Sequence, residues 1–324
     1  MGPFQRKAEA TPQPLPTVQP DAVPSGNKGL IMGLAAVLLL VIVVISMLAR
    51  RRRSYSLRGK HVVVTGGSSG IGKAVALEAL QAGAKVTLMA RKVPTLEAAK
   101  AELLKSSGST DAKVFVKAID VGSGLAAVEA AFAAAVQSAG QEVDVLVNCA
   151  GNSIPGTFEE LDPAAFESMM RVNYFGSIYP TRAVVPSMKA RGSGRIVFVS
   201  SQAGQVGVFG FSAYSPSKFA LVGLAQVLRM ELQPYGIGVS VAYPPDTDTP
   251  GFIEENTHKP EETRLISETA GLFKPEVVSG YCRLIFGWLL GLSFTVDSFR
   301  YLTSFLILLH TVGSWPHCFR ALRW

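Results

Sequence analysis

Six short runs rich in β-branched residues recur between residues 61 and 243: HVVVT, KVTLMA, KVFVKAI, VDVLVN, RIVFVS and GVSVAY. Each after the first is preceded by a stretch with helical patterning. Short apolar runs that do not alternate with polar residues fit strands covered on both faces. Strand and helix taken in turn therefore predict an α/β fold, a doubly wound parallel sheet with helices on either side. No repeat of solenoid length is present.

The first run leads directly into Thr65-Gly66-Gly67-Ser68-Ser69-Gly70-Ile71-Gly72, which opens the helical stretch IGKAVALEAL. Glycines between a strand and a helix permit a tight turn and close approach of the backbone to a pyrophosphate, which the helix N-terminal amides then face. The sheet is thus expected to be Rossmann-type, with Thr65, Gly66, Ser68, Ser69, Gly70, Ile71 and Gly72 at a dinucleotide. The second run ends at Ala90-Arg91-Lys92, where an NAD site would place an acidic residue on the ribose diol. Arg91, with Lys92, instead suits a 2′-phosphate, so NADPH is the expected cofactor. Asp120 after the third run, and Asn148, Ala150 and Gly151 after the fourth, fall at strand carboxyl ends, where open α/β sheets bind ligands. Turn or cap roles would also suit them.

Further on, Tyr214-Ser-Pro-Ser-Lys218 places a phenol and an ammonium four residues apart. On a helix both lie on one face, where the ammonium would favour the phenolate and lower the tyrosine pKa. Ser201 ends the run RIVFVS, where a buried strand would deliver its hydroxyl to the sheet edge. Asn173 sits in the helical stretch MMRVNYFG, a poor place for asparagine unless its side chain has a partner.

These residues together resemble the short-chain dehydrogenase/reductase family, from residue 60 to about residue 251. The resemblance implies hydride transfer between a nicotinamide and a carbonyl or alcohol carbon. Tyr214 would be the acid or base, and Ser201 would polarise the carbonyl. Lys218 would hold the nicotinamide ribose and lower the Tyr214 pKa, and Asn173 would support a water in the proton path. It also implies dinucleotide contacts from Pro244 and Thr247.

The stretch YPPDTDTPGFIEEN departs from the family's usual Pro-Gly turn. It resembles the corresponding segment of a membrane-bound, NADPH-dependent branch that reduces long-chain sphingoid ketones in sphingolipid synthesis at the endoplasmic reticulum. Such a substrate carries an ammonium near its ketone, for which Asp246 or Asp248 would be the partner, although both would equally serve as loop caps. A steroid or retinoid dehydrogenase, a 3-ketoacyl-CoA reductase and a non-catalytic nucleotide-binding membrane scaffold remain open alternatives.

The flanks point to a bilayer. Of the 324 residues 48% are apolar, and residues 30–49 form a twenty-residue run without a charge. As a helix that run would span roughly 30 Å, a bilayer core. Four arginines follow it, so the net charge of +7 reads as a membrane flank and not as a nucleic-acid surface, and everything beyond residue 50 is expected in the cytosol. Residues 1–28, rich in Pro, Ala, Gln and Thr, are expected to be disordered.

The expected division is therefore 1–28, a membrane helix with basic flank over 29–53, a reductase domain over 54–280 and an apolar membrane-associated segment over 281–324. In that last segment LSFTV is a candidate seventh strand, and residues 284–296 and 302–312 are too short for easy crossings. Three scattered cysteines and four scattered histidines have no metal-ligand spacing, so no metal is expected. A homo-oligomer is left open.

Overall fold

The computed structural model describes residue 41 and residues 55–110 and 113–280. Apart from Val41, which is helical, the expected N-terminal segments over 1–28 and 29–53 lie outside the described residues. So do the tail over 281–324 and the LSFTV strand. Among the described residues no helix is long and apolar enough to cross a membrane.

Six parallel strands form one sheet: β1 (His61–Thr65), β2 (Lys85–Ala90), β3 (Val114–Ala118), β4 (Val145–Asn148), β5 (Gly194–Val199) and β6 (Ile237–Ala242). Their spatial order is β3-β2-β1-β4-β5-β6. The chain works outward from β1 to β3, then returns to lay β4 on the other side of β1, in register from Val62 against Val145 to Thr65 against Asn148. Beyond the carboxyl ends of β1 and β4 the order reverses, and such a reversal opens a crevice.

The helices are α1 (Gly70–Gln81), α2 (Val93–Ser107), α3 (Leu125–Ala139), α4 (Pro163–Met169), α5 (Gly176–Arg191) and α6 (Tyr214–Leu232). A π-helical turn, Met170–Phe175, joins α4 to α5. The sheet has a core on each face. Val62 and Val64 of β1 pack with Val75 and Leu80 of α1 and Leu96 and Leu103 of α2. Val63, one residue out of phase, packs on the opposite face with Phe132 of α3, Met188 of α5 and Leu221 of α6. This period-two division of fully buried valines is why the strands read as continuous apolar runs.

After β6 the chain leaves the sheet and builds a small lobe from α7 (Pro250–Asn256) and α8 (Glu261–Ala270). Helix α7 starts sharply because Thr249 Oγ1 accepts from the Phe252 amide at 3.1 Å and Pro250 follows the cap. The lobe is closed at its base. Phe273 N donates to Asp246 O at 2.9 Å, and Asp248 N donates to Phe273 O at 2.8 Å. Thr263 Oγ1 donates to Phe209 O at 2.8 Å and fastens α8 to the loop before α6.

Candidate active site

A cavity of about 640 Å³ lies where the strand order reverses, bounded by the glycine turn, the ends of β4 and β5, the start of α6 and the closed lobe. Its dinucleotide side is built from backbone. Gly66 has φ +67°, and a Cβ there would come within 2.9 Å of Ala150 Cα. A Cβ on Gly72 would come within 2.4 Å of Gly66 O. Only glycine allows this packing. Helix α1 begins at Gly70 without a side-chain cap bond, and Gly70, Ile71 and Gly72 line the cavity, as do Ser68 and Ser69. Uncapped helix amides beside a glycine turn fit a pyrophosphate, and hence a nicotinamide dinucleotide.

Other predicted cofactor residues divide between lining and support. Arg91 and Lys92 are exposed and line the cavity just past β2; Asp120, two residues past β3, also lines it and accepts from the Gly122 amide at 2.9 Å. Ala150, Gly151, Pro244 and Thr247 line it as well. Thr65 and Asn148, both expected to touch the cofactor, are buried behind the cavity wall and do not line it. Thr65 Oγ1 accepts from the amides of Cys149 and Ala150 at 3.1 and 3.2 Å, and Asn148 donates to Thr181 Oγ1 at 3.0 Å. Their positions at strand ends are as expected, and these bonds tie β1, β4 and α5 together, although the buried Asn148 Oδ1 has no hydrogen-bond partner.

Ser201, Tyr214, Lys218 and Asn173 come from three segments of the chain; the first three line this cavity, and Asn173 does not. Ser201 follows β5 and its hydroxyl accepts from Ala203 N at 3.1 Å. Tyr214 is the first residue of α6, its ring edge-on to Phe211 at 5.3 Å. One turn later the Lys218 ammonium lies 5.6 Å from the centre of the Tyr214 ring and donates to Val199 O at 3.1 Å. Asn173 is fully buried in the π turn. Its Nδ2 donates to Asn152 O at 3.0 Å and Ser217 Oγ at 2.9 Å, and its Oδ1 accepts from Asn152 N at 3.0 Å.

The electrostatics correct one expectation. The Tyr214 phenol does not lie below its ordinary value: burial pushes it well above, hydrogen bonding with Ser201 draws it back in part, and Glu255 and Asp246 raise it further. Burial in turn pushes Lys218 down to about 8, against the opposing influence of Cys149. The same burial raises the Cys149 thiol to about 11. Spacing on a helix face was legible, but the burial that raises Tyr214 and lowers Lys218 is set by how the rest of the chain packs around them. At neutral pH the site therefore holds a protonated phenol, suited to giving a proton to a carbonyl oxygen.

The lobe supplies the other side of the cavity. Asp246 lines it, whereas Asp248 is exposed, does not line it and serves the lobe's closure through its backbone. Asp246 is also not free: Lys259 Nζ lies 3.7 Å from its Oδ2 and 2.8 Å from Glu255 Oε1. Glu255, Phe252, Ser153 and Lys259 were not singled out from the sequence. The signal was present in the i,i+4 spacing of Glu255 and Lys259 and in a helix start at Thr249-Pro250.

The arrangement has relatives. The model of the family described as short chain dehydrogenase matches residues 60–260. Over 223 residues the chain is 56% identical to a 3-dehydrosphinganine reductase of Danio rerio, covering 69% of this chain and 67% of that one. It is 55% identical over 224 residues to a 3-ketodihydrosphingosine reductase of Bos taurus, with the same coverage. Among solved structures, levodione reductase superposes with a TM-score of 0.65 at 26% identity, covering 71% of this chain and 91% of that one. With the family model matching across most of the described residues, and relatives this similar over two thirds of their length, the chain belongs to the short-chain dehydrogenase family of oxidoreductases.

Proposed function

We propose that the protein reduces 3-ketodihydrosphingosine to dihydrosphingosine with NADPH. The observation that carries this reading is the joint one: a protonated Tyr214 beside Ser201 at a dinucleotide cavity, in a chain 55–56% identical to reductases named for that substrate. A nicotinamide dinucleotide bound at the glycine turn supplies the hydride. The ketone oxygen is held by the hydroxyls of Ser201 and Tyr214, and Tyr214 gives its proton as charge develops on that oxygen. Lys218 stabilises the phenolate left behind, and the Asn173 amide fixes the loop at Asn152 and the start of α6 around it. Arg91 and Lys92 at the end of β2 favour the 2′-phosphate of NADPH.

The sequence flanks extend the proposal. The uncharged run over residues 30–49 anchors the chain in the endoplasmic reticulum membrane, its basic flank keeps the reductase on the cytosolic side, and residues 281–324 associate with the bilayer. An enzyme held there collects an amphipathic ketone from the bilayer itself. A homo-oligomer is compatible with this arrangement.

The test is NADPH oxidation by the detergent-solubilised full chain with 3-ketodihydrosphingosine, beside a steroid ketone and a 3-ketoacyl-CoA. Turnover confined to the sphingoid ketone is expected. Preference for another ketone would overturn the substrate assignment, and dinucleotide binding without turnover of any ketone would favour a non-catalytic scaffold.

A further inference from the structure

The lobe's side of the cavity carries unequal charge. The Lys259 side chain is fully buried, 4.5 Å from the centre of the Phe252 ring, and donates to Ser267 Oγ at 2.9 Å. Its single ammonium serves two carboxylates, Glu255 and Asp246. Among the described residues the cations that line the cavity, Arg91, Lys92 and Lys218, belong to the end of β2 and to α6. One negative charge on this wall is therefore unmatched.

Glu255 is the more enclosed of the two carboxylates, with its side chain 12% exposed. Burial holds its carboxyl above the usual range despite Lys259, and Asp246, which shares that lysine, raises it further. Ser153 lines the same part of the cavity, near enough to Glu255 to lower its carboxyl, yet its buried oxygen makes no well-formed hydrogen bond. Buried hydroxyls are seldom left so, and one beside an under-compensated carboxylate marks a place where a donor is wanted. Both carboxylates act on the Tyr214 phenol through space, so the wall lies within electrostatic range of the reacting oxygen.

We propose that Glu255, with Asp246 and Ser153, forms an ammonium subsite that receives the amino group next to the substrate's ketone. This rests on the sphingoid-ketone reading. The substrate's cation matches the charge that Lys259 leaves over. Because that ammonium is on the carbon beside the carbonyl, holding it also sets the carbonyl against Ser201 and Tyr214. The same wall disfavours ketones without a cation, and anionic ones most, because they leave a buried carboxylate uncompensated.

The experiment compares two substrates on the detergent-solubilised full chain: 3-ketodihydrosphingosine and the same long-chain hydroxyketone without its amino group. The unaltered protein is expected to prefer the amino ketone in kcat/KM by about tenfold or more, the range of a charge-assisted hydrogen bond. Glu255→Gln should bring that preference close to unity, chiefly through KM for the amino ketone, and Asp246→Asn should narrow it less. NADPH binding followed by fluorescence reports whether each variant is folded. If Glu255→Gln does not fold, Asp246→Asn and the preference of the unaltered protein still decide. Equal kcat/KM for the two ketones in the unaltered protein would overturn the subsite while leaving the sphingoid substrate standing. So would an undiminished preference in the folded variants. Reduction of only a steroid ketone or an acyl-CoA would remove the substrate reading and the subsite with it.

Discussion

Asn173 Nδ2 donates to Ser217 Oγ over 2.9 Å, and Ser217 passes the tie on by donating to Tyr214 O over 2.7 Å. The π turn is thereby coupled to the helix turn that presents the Tyr214 phenol. Asn173→Ala removes this bond and both bonds to the backbone of Asn152, leaving buried polar groups unpaired at about 1–3 kcal/mol each. A lowered denaturation midpoint and reduced kcat are expected together. Unchanged stability and turnover would show that the tie positions nothing.

Tyr214→Phe keeps the ring against Phe211 and removes only the proton donor. Turnover should fall by about 10²- to 10⁴-fold, the usual worth of a positioned acid, while dinucleotide binding is retained. Turnover within a factor of about ten of the unaltered protein would place the donor elsewhere.

Ketone reduction should weaken as the solution becomes alkaline. Lys218, held down to about 8, is an ammonium below that pH and neutral above it. Tyr214, raised by burial, keeps its proton over the same range. The expected profile of kcat/KM is therefore level on the acid side and declines as pH rises through about 8. A profile that climbs through this region would contradict the assignment of Lys218.

Arg91→Ala should raise KM for NADPH by about tenfold or more, on the scale of a lost charge-assisted contact to phosphate, with little change for NADH. Initial rates with the two dinucleotides measure this directly. An equal effect on both would mean that Arg91 does not read the 2′-phosphate.

His61 gives the sheet a dependence on acidity. It is fully buried on β1, Nδ1 donating to Gln141 O at 2.9 Å and Nε2 accepting from Thr87 Oγ1 at 2.8 Å. Burial lowers its pKa below the ordinary 6.5. The unfolded chain therefore takes up a proton first on acidification, so this contribution is complete above 6.5 and is lost as pH falls toward the folded value. Melting temperatures measured from about pH 7.5 down to about 5.5 should decline, and His61→Gln should flatten part of that slope. An identical slope in the variant would assign the acid sensitivity to other groups.

What the sequence revealed follows from what is local. The runs HVVVT and KVTLMA became β1 and β2 without a shifted end, and Thr65 to Gly72 formed the expected turn, because continuous apolarity and glycine spacing are written within a few residues. Tyr214 and Lys218 share one helix for the same reason. The sign of the Tyr214 pKa was not legible, since it depends on burial by distant segments. Nor was it legible that Thr65 and Asn148 would turn away to brace the strands, or that Asn173 would enter a π turn. Asp246 drew attention in place of Glu255 because its proline-flanked loop is conspicuous, whereas Glu255 matters only once Lys259 folds back beneath it.

The hydrogen bonds between Phe273 and the Asp246–Asp248 stretch have a consequence for protein engineering. They close the lobe into a loop whose two ends meet, so it resembles an exchangeable cartridge. The groups proposed for hydride and proton transfer precede it, while much of the wall facing the ketone is contained within it. Transplanting residues 246–273 into another reductase of this family, with the Phe273 pairing kept, is a rational way to redirect one reaction centre to a new ketone without rebuilding its chemistry.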